Sequence, residues 1–365
     1  MNGDPPGSNK RKMKANVLVT TAGTIVAQGV IKCLRLANRS KDRPVTYRIV
    51  TADMSPDTAA LYRSDTGYLV PPISSPDYID AISKICKDEV ISAIFVGADE
   101  ELLSMASARE RIENETGAVV ITNPVGVINI CTDKWKTFQF LKNNNLPCPE
   151  SSLPEDEEKF LLEHGFPVIV KPRQGHGSLH VCVAKSHEDV RQAVSTIQHA
   201  GWQPMIQEYV LGEDLEFTTG VTVDRKGKYV MSSIAMRRTL KAGQTYKAFI
   251  DDYKEVRRTS EEAALKLGSR GPINVQGRLS GDQLKIFEIN PRFSASCPLR
   301  AFAKVNEPDI VFRNSVLQEE IKVDGYERLV CMRYWNEVYI PYSTYERAVS
   351  ERKVELADSV VSDYF

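Results

Sequence analysis

The first 125 residues alternate short apolar runs with segments of helical periodicity, as in a parallel α/β sheet. Residues 15–20 form an apolar run that breaks at a glycine turn and continues into an apolar-periodic segment, which predicts strand, turn and helix. Further strands are predicted over 47–53, before Gly97 and over 118–123. Strands that alternate with helices imply right-handed crossovers, and such sheets bind ligands at the carboxyl ends of their strands.

The turn at 20–24 leaves three interpretations open. A dinucleotide site would use Asp53 for the ribose, but the full GxGxxG fingerprint is absent. Acids at helix starts are also ordinary caps. The third interpretation is a substrate pocket, formed by Gly23, Asp53, Asp99, Glu100 and Glu101.

The pattern changes at residue 131, where a capped helix begins with Thr132 or Asp133 as its predicted cap. Lys134 and Lys136 fall in the first turn of this helix. Cations at that end oppose the helix dipole, so a bound phosphate would remove the conflict.

Two later segments also suit a nucleotide. A strand ends at Lys171-Pro172 and is followed by the loop RQGHGS, whose Gly175 and Gly177 free the backbone to fold over an anion. Because a strand, not a helix, follows this loop, it is not a Walker loop. The second segment, 205–210, is a predicted strand with the acids Glu213 and Asp214 just beyond it, a pattern that a plain hairpin would also give.

The run IFEINPRF, 286–293, places Glu288, Asn290 and Arg292 at alternate positions of an extended segment, so they share one face and Ile289 points into a core. The proline after Asn290 argues that the strand ends there. A carboxylate, an amide oxygen and a guanidinium at one strand mouth, with Gln276 upstream, suit Mg²⁺ and a polyphosphate. The alternative is a surface ion pair at a strand end.

These motifs together resemble the ATP-grasp superfamily. The likeness is to the synthetase half of the carbamoyl phosphate synthetase large chain and to single-chain carboxylate-amine ligases built on it. It covers roughly 15–320 and is carried, in order, by DKWKT (133–137), VIVKPRQGHGS (168–178), QEYVLGED (207–214) and VQ with FEINPR (275–292).

The resemblance implies an α/β chain with an N-terminal Rossmann-like parallel sheet domain followed by a two-lobed ATP-grasp domain. The expected parts are a disordered leader (1–14), the N-terminal domain (15–125), the ATP-grasp domain (126–318) and a C-terminal segment returning to the core (319–365). Alternation of apolar and polar residues over 328–342 predicts a strand in that last part.

Roles follow from the resemblance position by position. Lys134 would lie on the α/β-phosphates, Lys171 beside the adenine and α-phosphate, and Arg292 at the γ-phosphate. With Glu288, Lys171 and Arg292 form the implied catalytic set. The remaining implied roles are a closing loop (Gly175, Gly177, Ser178), an adenine hinge (Glu208, Tyr209, Val210), a ribose acid (Glu213 or Asp214) and a metal set (Gln276, Glu288, Asn290).

Substrate contacts are predicted from charge. Arg237 and Arg238 belong to a basic segment around the Gly243 turn. An arginine there could hold a substrate carboxylate, although an exposed basic hairpin would give the same pattern. Arg300 follows the metal strand and is a candidate for the acceptor side. The acids Asp99 and Glu100 complete the substrate candidates.

The implied reaction is ATP-dependent amide or peptide bond formation through an acyl phosphate, with ATP and Mg²⁺ as cofactors and Mn²⁺ as the alternative metal. The partners would be a small-molecule carboxylate and an amine, with a homodimer as the candidate assembly. Three alternatives remain: a carboxyphosphate- or carbamate-forming synthetase, a regulatory subunit that binds ATP without turnover, and a dinucleotide-dependent oxidoreductase.

Composition excludes some functions. The 365 residues carry a net charge of -1, which gives no support to nucleic acid or a membrane surface as a partner. Seven scattered cysteines without a CxxC pair predict reduced thiols and a cytoplasmic protein. His176 and His180 are four residues apart, but no acid or cysteine partner completes a zinc site, so none is predicted.

Overall fold

The computed structural model describes residues 13–42, 44–175, 177, 179–211, 216–334, 337–355 and 359–361. These residues divide into two compact units. The first holds the described residues of Met1–Ala98, Ala108–Val120 and Glu337–Phe365, and the second those of Asp99–Ser107 and Ile121–Asn336. The leader predicted for 1–14 lies outside the described residues up to residue 12, and the first strand begins at Met13.

The strands follow in chain order. The first nine are β1 Met13–Val19, β2 Val45–Asp53, β3 Thr66–Leu69, β4 Ala93–Phe95, β5 Val119–Ile121, β6 Ser151–Ser152, β7 Val168–Pro172, β8 Cys182–Ala184 and β9 Pro204–Glu208. The later ones are β10 Glu216–Val223, β11 Val230–Lys241, β12 Gln244–Ile250, β13 Gly271–Ser280, β14 Gln283–Asn290, β15 Leu329–Met332, β16 Val338–Tyr339, β17 Lys353–Glu355 and β18 Val360–Val361.

The helices alternate with these strands in the first unit and cover the sheets of the second. They are α1 Ile25–Arg39, α2 Tyr78–Asp88, α3 Asp99–Ser107, α4 Arg109–Thr116, α5 Val125–Cys131, α6 Lys134–Asn143, α7 Glu157–His164, α8 His187–His199, α9 Lys254–Lys266, α10 Cys297–Phe302, α11 Glu307–Ser315 and α12 Tyr342–Glu351. Short 3₁₀ helices lie at Ala59–Arg63 and Pro154–Asp156. No described helix is long and apolar enough to cross a membrane.

The first unit contains the predicted parallel sheet, in the order β17-β3-β2-β1-β4-β5. Strand β1 pairs in parallel with β2 and β4, and the edge strand β17 runs antiparallel to its neighbour β3. The turn after β1 is tight. Thr24 caps α1, and a side chain at Gly97 would lie 2.1 Å from the Thr20 carbonyl oxygen. The Asp53 carboxylate accepts the N–H of Gly23 (2.7 Å) and of Ser55 (2.9 Å), a geometry that favours the turn interpretation over a ribose acid.

The second unit is built on two sheets. One has the order β14-β13-β10-β11-β12-β15 and packs its apolar face against α5, α6 and α9. The other has the order β6-β9-β7-β8 and packs against α7 and α8. The strand predicted for the closing segment is present, because β15 pairs antiparallel with β12.

A buried ion pair lies beneath the larger sheet. Arg300 Nε lies 3.1 Å from Glu307 Oε1, and the two side chains are 0% and 3% exposed. Gly220 on β10 leaves the room for this pair, since a Cβ there would lie 1.7 Å from the Glu307 oxygen. Burial raises the pKa of Glu307, against the opposing effect of Arg300.

Glu307→Gln is expected to lower the free energy of unfolding by about 3–5 kcal/mol, because Arg300 would keep its charge in the interior without a counter-charge. Urea denaturation followed by circular dichroism measures the loss. Glu262→Gln is the matched control: it breaks a half-exposed pair with Lys266 and should cost less than about 0.5 kcal/mol. Equal losses in the two variants would show that the Arg300 charge is balanced elsewhere.

Candidate functional site

The centre of the candidate site is the antiparallel pair β13–β14. An irregularity beyond Gln276 places this residue directly opposite Glu288, while Asn274 lies opposite Asn290. Ile289 is 1% exposed within the core of the larger sheet, as predicted. Strand β14 ends at Asn290, directly before the proline. The predicted metal residues therefore belong to one face at the end of one strand pair.

Hydrogen bonds connect these polar groups into a chain. Asn290 Nδ2 donates to Glu288 Oε1 (3.2 Å), and Arg292 Nη2 donates to Asn290 Oδ1 (3.2 Å). Arg292 also donates from Nε and Nη2 to the two carboxylate oxygens of Asp99, at 2.8 and 2.6 Å. Burial opposes its charge, but Asp99 raises the pKa of Arg292 overall. Asp99, a substrate candidate in the sequence, is thus the partner of Arg292, the arginine predicted to lie at the γ-phosphate.

Gln276 is held by an arginine. Arg238 Nη2 donates to Gln276 Oε1 (2.6 Å) and to Glu216 Oε1 (2.8 Å), and Arg238 is 8% exposed. Glu216 balances the charge of the Arg238 guanidinium, and the hydrogen bond from Arg238 orients the side-chain amide of Gln276. An amide oxygen has two lone pairs, which leaves one for a metal.

The donor set fits Mg²⁺. Glu288 supplies one carboxylate, and Gln276 and Asn290 supply amide oxygens on the same face. Magnesium is commonly held by one or two carboxylates together with substrate phosphates. Within the described part of the chain no cluster of three or more histidine, cysteine or acidic side chains could hold a metal by itself. The set therefore suits a cation that arrives with phosphate.

Lys171 is the next-to-last residue of β7, on the smaller sheet. Its Nζ donates to Gln207 Oε1 (2.7 Å) and lies 5.7 Å from the centre of the Phe287 ring. Burial, with a smaller effect of Lys134, lowers the pKa of Lys171 to about 7, although Glu288 opposes the shift. These couplings bring Lys134, Lys171 and Glu288 into one electrostatic environment.

The start of α6 is fixed by Asp133. Its carboxylate accepts the N–H groups of Trp135 and Lys136, which makes Asp133 the helix cap, and it pairs with Arg173 Nη2 at 2.6 Å. Burial would raise the pKa of Asp133, but Arg173 and the capping bonds lower it. Lys134 Nζ donates to the Gly175 carbonyl oxygen (2.7 Å), so the first lysine lies against the glycine loop.

The glycine loop also reaches the turn between β11 and β12. Gly175 and Gly177 have φ of +100° and +72°, which glycine adopts without strain. A side chain at Gly243 would lie 2.8 Å from the Gly177 carbonyl oxygen. Ser178, predicted for the same loop, lies outside the described residues.

The predicted adenine hinge follows β9. Glu208 Oε1 accepts from Lys285 Nζ (2.6 Å) and Oε2 from the Glu150 N–H (3.1 Å), so the side chain links the two sheets. This leaves the backbone after Glu208 as the part that could bind a base. Val210 is 6% exposed and Tyr209 is half-buried. The ribose candidates Glu213 and Asp214 lie outside the described residues.

The other substrate candidates are spread more widely. Arg237 stacks on the Phe249 ring, with 4.4 Å from its guanidinium carbon to the ring centre. Arg300 is paired with Glu307 inside the fold and is not available to a ligand in this structure. Glu100 is exposed in the first turn of α3, one residue after Asp99.

Comparisons with known proteins identify two domains in this chain. Residues 131–296 match the model of the ATP-grasp domain, and residues 17–121 match that of the PylC-like N-terminal domain. Residues 131–296 of this chain therefore form an ATP-grasp domain.

Two curated relatives are carbamoyl phosphate synthases. The large chain from Helicobacter pylori is 24% identical over 378 residues, which cover 95% of this chain and 33% of the relative. The synthase from Methanobrevibacter smithii is 29% identical over 227 residues, which cover 60% of this chain and 61% of the relative. The chain thus spans about a third of the length of the Helicobacter large chain and under two thirds of the Methanobrevibacter synthase.

Solved structures share the fold. N5-carboxyaminoimidazole ribonucleotide synthetase from Thermus thermophilus aligns with a TM-score of 0.66 at 15% identity, over 90% of this chain and 85% of that one. The biotin carboxylase domain of 2-oxoglutarate carboxylase from Hydrogenobacter thermophilus, a dimer with MgADP, ADP and bicarbonate, aligns with a TM-score of 0.65 at 17% identity, over 85% of this chain and 71% of that one. The ATP-grasp fold predicted from the motifs is therefore confirmed.

Sequence reasoning missed several residues of this ATP-grasp site. Gln207 carries the hydrogen bond of Lys171 and itself donates to Ser151 Oγ (2.8 Å), although only its neighbours in QEYV were singled out. Glu216 could not be foreseen, because its pairing with Arg238 depends on strand register. Arg173 belongs to the loop motif VIVKPRQGHGS, but its role as the partner of Asp133 is visible only in the tertiary structure.

ATP binding is expected to take up about one proton at pH 8, because phosphates restore the charge of a lysine whose pKa in the free protein is about 7. The affinity should change little well below pH 7 and fall as the pH rises above it. Calorimetry with Mg-ATP in buffers of different ionisation enthalpy measures the uptake. Lys171→Arg, which stays charged, should abolish it. No uptake in the unaltered chain would contradict a neutral Lys171.

Proposed function

We propose that this chain is an ADP-forming carboxylate-amine ligase that makes an amide or peptide bond through an acyl phosphate. The observation that carries the proposal is the cross-strand pair Gln276–Glu288, with Asn290 and Arg292 beyond it on the same strand end. This arrangement offers oxygen ligands and a guanidinium at one place. The proposal covers this chain alone, which spans only part of its curated relatives.

The chemistry follows from charge. A substrate carboxylate and the γ-phosphate of ATP are both anionic, so the barrier to their reaction is largely repulsion and positioning. Mg²⁺ held by Gln276, Glu288 and Asn290 would polarise the phosphate oxygens and screen their charge, and Mn²⁺ is proposed as the alternative metal. Arg292, fixed by Asp99, would stabilise charge at the transferred phosphoryl group.

The remaining residues bind and enclose. Lys134 and Lys171 would contact the phosphates, and the loop that contains Gly175 and Gly177 would limit water near the acyl phosphate. The backbone after Glu208 would receive the adenine. An amine then attacks the acyl carbonyl carbon, the C–O bond to phosphate breaks, and amide, phosphate and a proton are released.

A carboxyphosphate-forming activity is the second candidate, because the curated relatives are carbamoyl phosphate synthases. Bicarbonate would then replace the organic carboxylate at the same site. A homodimer is proposed for the assembly, since one structural neighbour is described as a dimer. Size-exclusion chromatography with light scattering tests it.

We expect Mg-ATP to be cleaved to ADP only when a carboxylate from a mixed pool is present, and faster when amines are added. Glu288→Gln should lower this rate about a hundred- to a thousandfold, because the proposed metal set would lose its carboxylate. ADP and phosphate release are measured together.

Glu262→Gln, on the exposed face of α9, is the matched control and should keep full activity. Release with bicarbonate alone would favour the carboxyphosphate activity. ATP binding without release in any pool would favour the regulatory subunit, and an active Glu288→Gln variant would disprove the metal assignment.

A further inference from the structure

Arg333 lies directly after β15, beyond the segment that matches the ATP-grasp model. Its Nη1 donates to the Thr245 carbonyl oxygen (3.1 Å) and its Nη2 to the Ala295 carbonyl oxygen (2.6 Å). The side chain is half-buried. The guanidinium therefore joins the start of β12 to the loop that follows Arg292.

Among the described residues, no acid forms an ion pair with Arg333. Its hydrogen-bond acceptors among them are backbone carbonyl oxygens. Burial lowers the pKa of Arg333. Arg238, Arg292 and Arg300 differ, since they are paired with Glu216, Asp99 and Glu307, respectively.

Arg333 is also connected to the metal set. Thr245, whose carbonyl oxygen Arg333 holds, receives hydrogen bonds at Oγ1 from Ser296 (3.1 Å) and from Arg238 (3.4 Å). Arg238 in turn holds Gln276. A ligand at Arg333 would thus lie beside the start of β12 and the loop after β14.

We propose that Arg333 binds a carboxylate group of the acid substrate. Two of its five N–H groups are occupied by carbonyl oxygens, which leaves enough for a two-point contact with a carboxylate. The carbonyl partners of Arg333 are neutral, so its positive charge stays available to an anion. The charges of Arg238 and Arg300 are each balanced by an acid. The inference rests on the proposed function, because that function supplies the carboxylate.

Kinetics test the assignment once a carboxylate supports ADP release. Arg333→Ala should raise the KM for that carboxylate about 10- to 100-fold and leave the KM for ATP unchanged, and Arg333→Lys should recover part of the loss. Arg328→Ala is the matched control: this arginine precedes the same strand, is 74% exposed and pairs with Asp251. A lower melting temperature with unchanged KM for the carboxylate would show a structural clamp and overturn the proposal.

Chemical modification decides the question without turnover. The unaltered chain, saturated with Mg-ADP, is treated with phenylglyoxal in acetate or in chloride of equal ionic strength, and the modified arginines are counted by peptide mass spectrometry. Acetate should protect Arg333 and not Arg328. Protection without ADP release in any pool would support the anion site while the ligase proposal fails. If Arg333 is modified to the same extent in both salts, or in neither, the anion site is disproved and the ligase proposal still stands.

Discussion

The register between β13 and β14 is the constraint on which the candidate site depends. Side chains alternate along a strand, so a slip of one residue would turn Glu288 into the core and bring Ile289 to the site face. The irregularity after Gln276 sets this register, because Gly277 lies opposite Ile286 and Phe287 is left as the extra residue. The ring of Phe287 then faces Lys171 on the other sheet. One local feature therefore aligns the metal residues and the lysine.

Charge is arranged unevenly around this strand pair. The guanidinium of Arg292 is paired with the Asp99 carboxylate, so a group of the protein itself fixes its position. Lys171 is bonded to the neutral Gln207, and burial lowers the pKa of its ammonium group. The arginine thus supplies a fixed charge and the lysine a charge that depends on the ligand. This difference follows from chemistry, since a guanidinium stays protonated in proteins whereas a buried ammonium does not.

Much of the fold and part of the site could be predicted from the sequence, because the signals were local. The alternation of Glu288, Asn290 and Arg292 requires only an extended backbone, and the cap at Asp133 only the start of a helix. The parallel sheet of the first unit follows from alternating strands and helices. Pairings between distant segments were beyond prediction, as the burial of Arg300 against Glu307 shows: its position depends on the space that Gly220 leaves on another strand.

Because of the same limit, the charge pattern of the sequence did not show which arginines are paired with acids. Arg238 and Arg300 looked available in the sequence, yet each has an acid partner that only the tertiary structure supplies. Arg333 follows a segment that the sequence shows only as a strand. That its partners among the described residues are carbonyl oxygens and not acids becomes visible only when β15 pairs with β12. The hydrogen-bond partners of a guanidinium are therefore more informative about ligand binding than its place in a basic run, because the N–H groups left unoccupied decide whether a carboxylate can be bound at two points.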